Sequence, residues 1–298
     1  MNDGSIGLYQ TIYSEAVRSF LDPGFIPLER TDNPEPELRE LGIHSDFFEA
    51  GLHRRHALSG IVSPKLFSKT MLRFADIHSW IESSPGYELY IINGRPFIPY
   101  TVFNGMELAE RAHGPNFEQK FRRMCSDIGM KTPDTIGRQN NANTVYCSYW
   151  CGSRAFWERW GHDVLRPLRN LQYSAGPSAA LFSIVPYPSP TPVYNVAFFY
   201  ERLLSVYLQS HAVRYLAFPW DAERVLALDY HPMVRDYLEA VVPWVDEIER
   251  RNSWTAARCH ELSVKFEPVR TQSGVEGHEV LAFDPLDFNL PRHNPNRA

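Results

Sequence analysis

The stretch PGYELYIINGRP, residues 85–96, contains the clearest strand signal in the first half of the chain. Pro85-Gly86 ends the apolar helical pattern that precedes it, and Asn93-Gly94 supplies the turn at the other end. Between these breakers, residues 88–92 are rich in the β-branched and aromatic types that favour strands. A helix, a strand and a turn in this order are typical of one unit of an α/β sheet.

The same alternation extends in both directions from this stretch, which predicts an α/β fold with crossover helices. We expect a main domain over residues 1–210 and a helical C-terminal extension with a tail, residues 211–298, packed on it. The predicted strands are 7–13, 25–28, 58–63 and 143–149. The predicted helices are 70–82, 108–112, 117–128, 155–166, 194–210 and 233–248, and a late hairpin is predicted from 262–266 and 280–283.

Composition limits the class of protein. The chain has 298 residues, of which 44% are hydrophobic, so it has enough apolar surface for a large folded domain. Its net charge of −5 argues against general nucleic-acid binding, which needs a cationic surface. The N-terminal residues MNDGSIGLYQ do not read as an export signal, so we expect a cytoplasmic protein whose four cysteines are reduced thiols.

The familiar catalytic and phosphate-binding motifs are absent from the sequence. It contains no G-x-S-x-G nucleophile elbow, no P-loop and no G-x-G-x-x-G. The spacing Cys147-x-x-x-Cys151 differs from the usual C-x-x-C of zinc and redox sites, so no metal ligands are predicted. Buried thiols among aromatic side chains are the better interpretation of residues 143–160, NTVYCSYWCGSRAFWERW.

Polar residues follow the predicted strands at three places where α/β sheets bind ligands. Ser63-Pro64-Lys65 offers a lysine for phosphate, with a proline-terminated strand and an exposed lysine as the alternative. Asn93-Gly94-Arg95 offers an amide and a guanidinium suited to diphosphate, or forms a plain turn. Glu201 lies at the edge of the apolar stripe of the 194–210 helix and can reach a cleft, whereas Arg202 is expected on the solvated far face.

Five segments, in this order, resemble a group of bacterial glycosyltransferase-like proteins of capsule and lipopolysaccharide biosynthesis. The likeness covers roughly residues 8–210. The segments are FIPLERTDNPEPELRE (25–40), LSGIVSPKLFSKT (58–70), PGYELYIINGRP (85–96), VYCSYWCGSRAFWERW (145–160) and VAFFYERLLSVYL (196–208).

The resemblance implies a GT-A-like, Rossmann-type mixed sheet flanked by helices, and a transferase that moves a sugar from a nucleotide-sugar donor to a cell-surface glycan or glycolipid precursor. Such folds usually carry a metal-binding Asp-x-Asp after a central strand. Here that place reads Asn93-Gly94-Arg95, which leaves dependence on Mn or Mg open and lets Lys65 or Arg95 neutralise the leaving diphosphate instead.

On this hypothesis the site residues fall into three groups. His113 and Glu201 are the candidates for the catalytic base. Tyr146, Tyr149 and Trp150 would contact the acceptor, while Phe156, Trp157 and Trp160 pack the following helix. The donor would be bound by Asp32, Asn33, Ser63, Lys65, Asn93 and Arg95; Asp32-Asn33-Pro34 is alternatively an Asx turn and nothing more.

A second hypothesis is a non-catalytic module of the same pathway that binds a glycan or a partner enzyme. The missing Asp-x-Asp and the many aromatic residues favour it, and it predicts glycan binding without donor turnover. A hydrolase has no motif to support it. Either protein of the pathway would work in the cytoplasm, with peripheral membrane association at the inner face of the membrane.

Overall fold

The computed structural model describes residues 5–187 and 191–272. These residues form an α/β fold whose mixed six-stranded sheet has the order β2-β1-β3-β5-β4-β8, with a separate hairpin of β6 and β7. The strands are β1 (Ile6–Ile12), β2 (Ile26–Glu29), β3 (Leu58–Val62), β4 (Leu89–Ile92), β5 (Tyr149–Ser153), β6 (Ile184–Val185), β7 (Val193–Tyr194) and β8 (Tyr215–Ala217).

Helices cover both faces of the sheet. The helices α2, α6, α7 and α9 contribute to one hydrophobic core, and α4, α11 and α12 contribute to the other. The helices are α1 (Glu15–Arg18), α2 (Glu40–Glu49), α3 (Leu66–Thr70), α4 (Phe74–Ser83), α5 (Gly105–His113), α6 (Phe117–Asp127), α7 (Arg154–Trp160), α8 (Arg166–Asn170), α9 (Asn195–Ser210), α10 (Ala222–Leu226), α11 (Pro232–Arg250) and α12 (Ala256–Gln272).

Strand β5 is antiparallel to both of its neighbours, β3 and β4, whereas the remaining strands of the sheet run parallel to one another. Its register places Trp150 opposite Ile61 on one side and Ile91 on the other. Trp150 faces the α9 core, whereas Tyr149 and Cys151 face the α11 core. Both faces of the strand are therefore buried, as expected for a strand inside a sheet covered by two helical layers.

The prediction of a strand over 143–149 is wrong: the strand begins at Tyr149 and is preceded by a short helical turn, Tyr146–Ser148. Cys147 and Ser148 both have positive φ, 64° and 54°, so residues 146–148 do not have the extended backbone of a strand. Non-glycine residues rarely adopt this conformation, and nothing in their identity signals it.

One further prediction needs correction, and one strand was missed. Residues 262–266, expected in a late hairpin, lie inside α12, and the other half of that hairpin, 280–283, lies outside the described residues. Strand β8 was not predicted, because three partly buried residues give almost no periodic signal. It pairs with β4, so the sheet continues past residue 210; the division of the chain into two domains stays a prediction.

The aromatic residues of α7 attach that helix to the sheet. As predicted, Phe156, Trp157 and Trp160 are buried, none more than 1% exposed. Trp157 packs against Trp150 with 4.3 Å between ring centroids and a tilt of 37°, and its indole N–H donates to the carbonyl of Ser59 at 2.8 Å. One side chain thus joins α7 to both β5 and β3.

Replacing Trp157 with alanine is expected to lower the free energy of unfolding by about 3–5 kcal/mol, because it leaves a large cavity and an unpaired carbonyl. The measurement is urea denaturation followed by circular dichroism. Tyr173→Ala is the matched control, since Tyr173 is 78% exposed, and it should change that free energy by less than about 0.5 kcal/mol. Equal effects of the two substitutions would contradict this account of the core.

Candidate functional site

The site is built around the turn that precedes β5. Cys147 has φ 64° and ψ 10°, and its backbone N–H donates to Oε1 of Glu201 at 3.2 Å. Gly94 N–H donates to the carbonyl of Tyr146 at 3.2 Å. A Cβ at Gly94 would lie 2.9 Å from both Cys147 Sγ and the Tyr149 ring, so only glycine fits there. Such strained backbone persists only where surrounding contacts hold it, and it is concentrated at functional sites.

Two cations converge on this turn from different strand ends. Lys69, on α3 beyond β3, donates from Nζ to Cys147 Sγ at 3.2 Å. Arg95 follows β4, and its backbone N–H donates to Oδ1 of Asn93 at 3.0 Å. Asn93 in turn donates to Asn141 Oδ1 at 2.7 Å, which fixes the β4 turn to the 140–143 loop.

Both cations stay charged despite their surroundings. Burial acts to lower the pKa of Lys69, but its interactions with the Cys147 sulfur and with Glu201 outweigh burial, and the pKa is raised overall. The same holds for Arg95. Burial acts to lower its pKa, but interactions with Cys147 and Glu201 outweigh burial, and the pKa is raised overall. The site therefore presents two permanent positive charges in an overall acidic chain.

Two carboxylates complete the charged cluster. Glu201 lies on α9, 3.4 Å from Nη1 of Arg202. Burial acts to raise the pKa of Glu201, but Arg202, Arg95 and Lys69 together lower it below its usual range. Glu40 is the first residue of α2, and burial followed by the charge of Glu201 raises its pKa.

These charged side chains are surrounded by protein but remain partly exposed to solvent, and the surface that they share is called the recess. Glu201 keeps 28% of its side-chain surface exposed, and Glu40, Lys69 and Arg95 are also only half-buried. All four are nevertheless strongly desolvated by the protein around them. A group that is surrounded by protein and still accessible belongs to a recessed surface, which is the usual form of a ligand site.

Hydroxyl groups lie next to the cluster. Ser63 Oγ, directly after β3, lies 2.5 Å from the Tyr149 hydroxyl at the start of β5. Burial, and then the nearby Cys147, raise the pKa of Tyr149 well above its ordinary value, so it stays protonated. Tyr187 is close enough to Glu201 and Arg95 for both to influence its pKa, which burial raises.

The structure thus brings together five of the residues that the sequence singled out: Ser63, Asn93, Arg95, Tyr149 and Glu201. Their common location is the edge of the sheet where β3 and β4 end and the antiparallel β5 begins. This is the edge at which α/β sheets bind ligands.

The other sequence candidates lie around this recess or away from it. Tyr146 is buried beside the recess, with the Arg202 guanidinium 5.9 Å from its ring centroid. Lys65 precedes α3, one turn before Lys69. Trp150 faces the opposite core, against Trp157.

Asn33 forms the local turn foreseen as its alternative role. Its Oδ1 accepts hydrogen bonds from Arg30 Nη2 at 2.8 Å and from Glu35 N–H at 3.3 Å, and the adjacent Asp32 is exposed.

His113 lies near the recess as a neutral, stacked ring. It ends α5 and stacks on Phe198 with 4.1 Å between ring centroids. Burial and then Arg202 lower the pKa of His113 to about 4, although Glu201 acts in the opposite direction. The imidazole is therefore uncharged at neutral pH.

The prediction that Arg202 is solvated is wrong. It is 5% exposed, and its guanidinium donates to the carbonyls of Gly105 at 3.2 Å and Phe198 at 2.7 Å. The far face of α9 packs against the first residue of α5, Gly105, instead of water, so the helix is buried on more than its apolar stripe.

Three residues of the cluster were not found from the sequence: Glu40, Lys69 and Cys147. Lys69 follows Lys65 by one helical turn, which is a signal that could have been used. In the sequence, Glu40 is an acidic residue in the first turn of a helix, which is common, and Cys147 was assigned to the core.

The described residues were compared with the requirements of a metal site and of a membrane-spanning helix. Within residues 5–187 and 191–272, no three histidine, cysteine, aspartate or glutamate side chains are grouped so that they could hold a metal ion. Across the same ranges, no helix has both the length and the apolar character needed to cross a bilayer.

Comparison with protein-family models, with curated proteins and with solved structures gives no match for this chain. The function must therefore be argued from the chemistry of the recess.

Proposed function

We propose that the chain is a glycosyltransferase that binds the diphosphate of a nucleotide-sugar donor with Lys69 and Arg95. The observation that carries the proposal is the convergence of these two cations on one recess at the carboxyl ends of β3 and β4. The alternative, a binding module without turnover, would share the recess, but it would not need two cations to stabilise a departing diphosphate.

The charge of the recess suits a diphosphate. Lysine and arginine side chains are the usual partners of phosphate oxygens, one as a point charge and the other as a planar fork. Partial desolvation strengthens their attraction for an anion compared with the same residues on an open surface. The mixed sheet, with its site at the strand ends, agrees with the GT-A-like architecture implied by the resemblance.

The chemistry follows from where charge develops. An acceptor hydroxyl attacks the anomeric carbon of the donor, and the bond from that carbon to the diphosphate oxygen breaks. The departing diphosphate gains negative charge, which Lys69 and Arg95 are placed to neutralise in the way that a divalent metal does in related reactions. The hydroxyl proton must pass to a base, and the carboxylates at the recess are suited to accept it.

Removing either cation is expected to weaken donor binding at least tenfold, because hydrogen bonds to charged groups contribute about 1.5–3 kcal/mol. The measurement is thermal unfolding of Lys69→Ala and Arg95→Ala against a panel of nucleotide sugars. A ligand present at 100 times its Kd stabilises the folded state by about 2.7 kcal/mol, so its loss is visible.

The matched controls for this pair are Lys131→Ala and Arg123→Ala, which remove one exposed cation each. They should leave ligand stabilisation unchanged. If no nucleotide sugar stabilises the wild type, or if both recess variants respond like the wild type, the proposal fails and a glycan-binding module becomes the better assignment.

Donor binding is expected to persist when divalent metals are removed. The two fixed cations already supply the charge that a metal would bring to the diphosphate. The same thermal unfolding series in EDTA and in added Mn²⁺ checks this. A stabilisation that appears only with Mn²⁺ would mean that a metal, and not Lys69 and Arg95, holds the diphosphate.

A further inference from the structure

The two carboxylates at the recess have different surroundings. Glu201 is held by the Cys147 N–H and by Arg202, so its oxygen atoms already have partners. Glu40 makes no ion pair within 4.0 Å in the part of the chain that the structure describes, and its side chain is half-exposed. One carboxylate is committed to structural contacts and the other is available to a ligand.

Glu40 nevertheless belongs to the same recess. It begins α2, directly after Arg39, whose φ of 51° turns the chain into the helix. Helix α2 packs against α9, the helix that carries Glu201. The titratable groups that interact electrostatically with Glu40 are Arg39 beside it, Lys69 on α3, Tyr149 on β5, and Tyr200 and Glu201 on α9.

We propose that Glu40 is the general base of the transfer reaction and that Glu201 is a positioning residue for the Cys147 turn and the two cations. This assignment rests on the proposed function. As the acceptor oxygen bonds to the anomeric carbon, its proton moves to the Glu40 carboxylate, and the sugar–phosphate bond breaks. The proton then leaves to solvent, which reaches Glu40 directly.

The electrostatics of the pair agree with this division of roles. Burial and the charge of Glu201 raise the pKa of Glu40, whereas Arg202, Arg95 and Lys69 keep Glu201 ionised against the effect of burial. Two neighbouring carboxyl groups whose pKa values are moved apart are the usual mark of an acid–base site. The group with the raised pKa is the stronger base once it is deprotonated.

The test compares Glu40→Gln with Glu40→Asp, using the nucleotide sugar that most stabilises the wild type and water as the acceptor. Release of nucleoside diphosphate is measured against pH, and binding is measured by thermal unfolding. We expect Glu40→Gln to lose about 100-fold or more in release, the lower limit for a general base, with its ligand stabilisation unchanged.

The pH profile separates a base from a structural residue. In the wild type, release should rise as pH rises through the elevated pKa of Glu40, because only the carboxylate accepts a proton. This acid limb should be missing in Glu40→Gln and present, at a lower rate, in Glu40→Asp. Glu37→Gln, three residues earlier, is the control that should match the wild type in rate and profile.

Each outcome bears on one proposal or both. Normal release and a normal acid limb in Glu40→Gln would overturn the assignment of Glu40 and leave donor binding intact. Wild-type stabilisation without any release, either with water or with added glycan acceptors, would make the chain a binding module and would overturn the assignment of a base. No stabilisation of the wild type by any nucleotide sugar would overturn the proposed function, and this assignment with it.

Discussion

The insertion of β5, antiparallel, between β3 and β4 is the constraint on which the rest of the structure depends. Gly60 of β3 permits it, since a Cβ there would lie 2.7 Å from the carbonyl of Trp150. The carboxyl end of β5 continues into α7, which carries three buried aromatic rings into the core. Its amino end is the Cys147 turn, so one short strand connects the buried aromatic core of α7 to the recess.

That connection explains how a costly arrangement of charges is maintained. Partly buried ions and left-handed non-glycine residues both oppose folding, and a well-packed apolar cluster would be the more stable alternative. Here the cost is offset by the surrounding framework: Glu201 accepts from the backbone of the turn, and Lys69 donates to its sulfur. Charged clusters of this kind, with shifted pKa values, are concentrated at functional sites.

The sequence predicted the elements whose signals are local. The strand at Leu89–Ile92 and the helices at Phe117–Asp127 and Asn195–Ser210 fall within a residue or two of the predicted ranges, because periodicity and turn residues mark them. The start of β5 was misplaced by six residues, since the turn at Cys147 is imposed by Gly94, Glu201 and Lys69. A conformation set by partners far away in the chain has no signature in its own residues.

The same distinction applies to the recess. Ser63, Asn93 and Arg95 could be predicted because each lies within three residues of a strand end, and that position alone directs attention to the ligand-binding edge. Glu40 and Lys69 reach the recess through the packing of α2 on α9 and the turn of α3, which are tertiary facts. The burial of Arg202 is tertiary as well, because it follows from the approach of Gly105 to α9.

The internal counterions of Lys69 and Arg95 bear on how the recess responds to an anionic ligand. Within the chain, Glu201 interacts electrostatically with both cations, and Lys69 donates to the Cys147 sulfur. A diphosphate entering the recess competes for the same positive charge and adds negative charge near Glu40. On the proposed function, bound diphosphate would disfavour ionisation of Glu40, and product departure would restore it. On this proposal, the presence or absence of the diphosphate would change how readily the Glu40 carboxylate takes a proton.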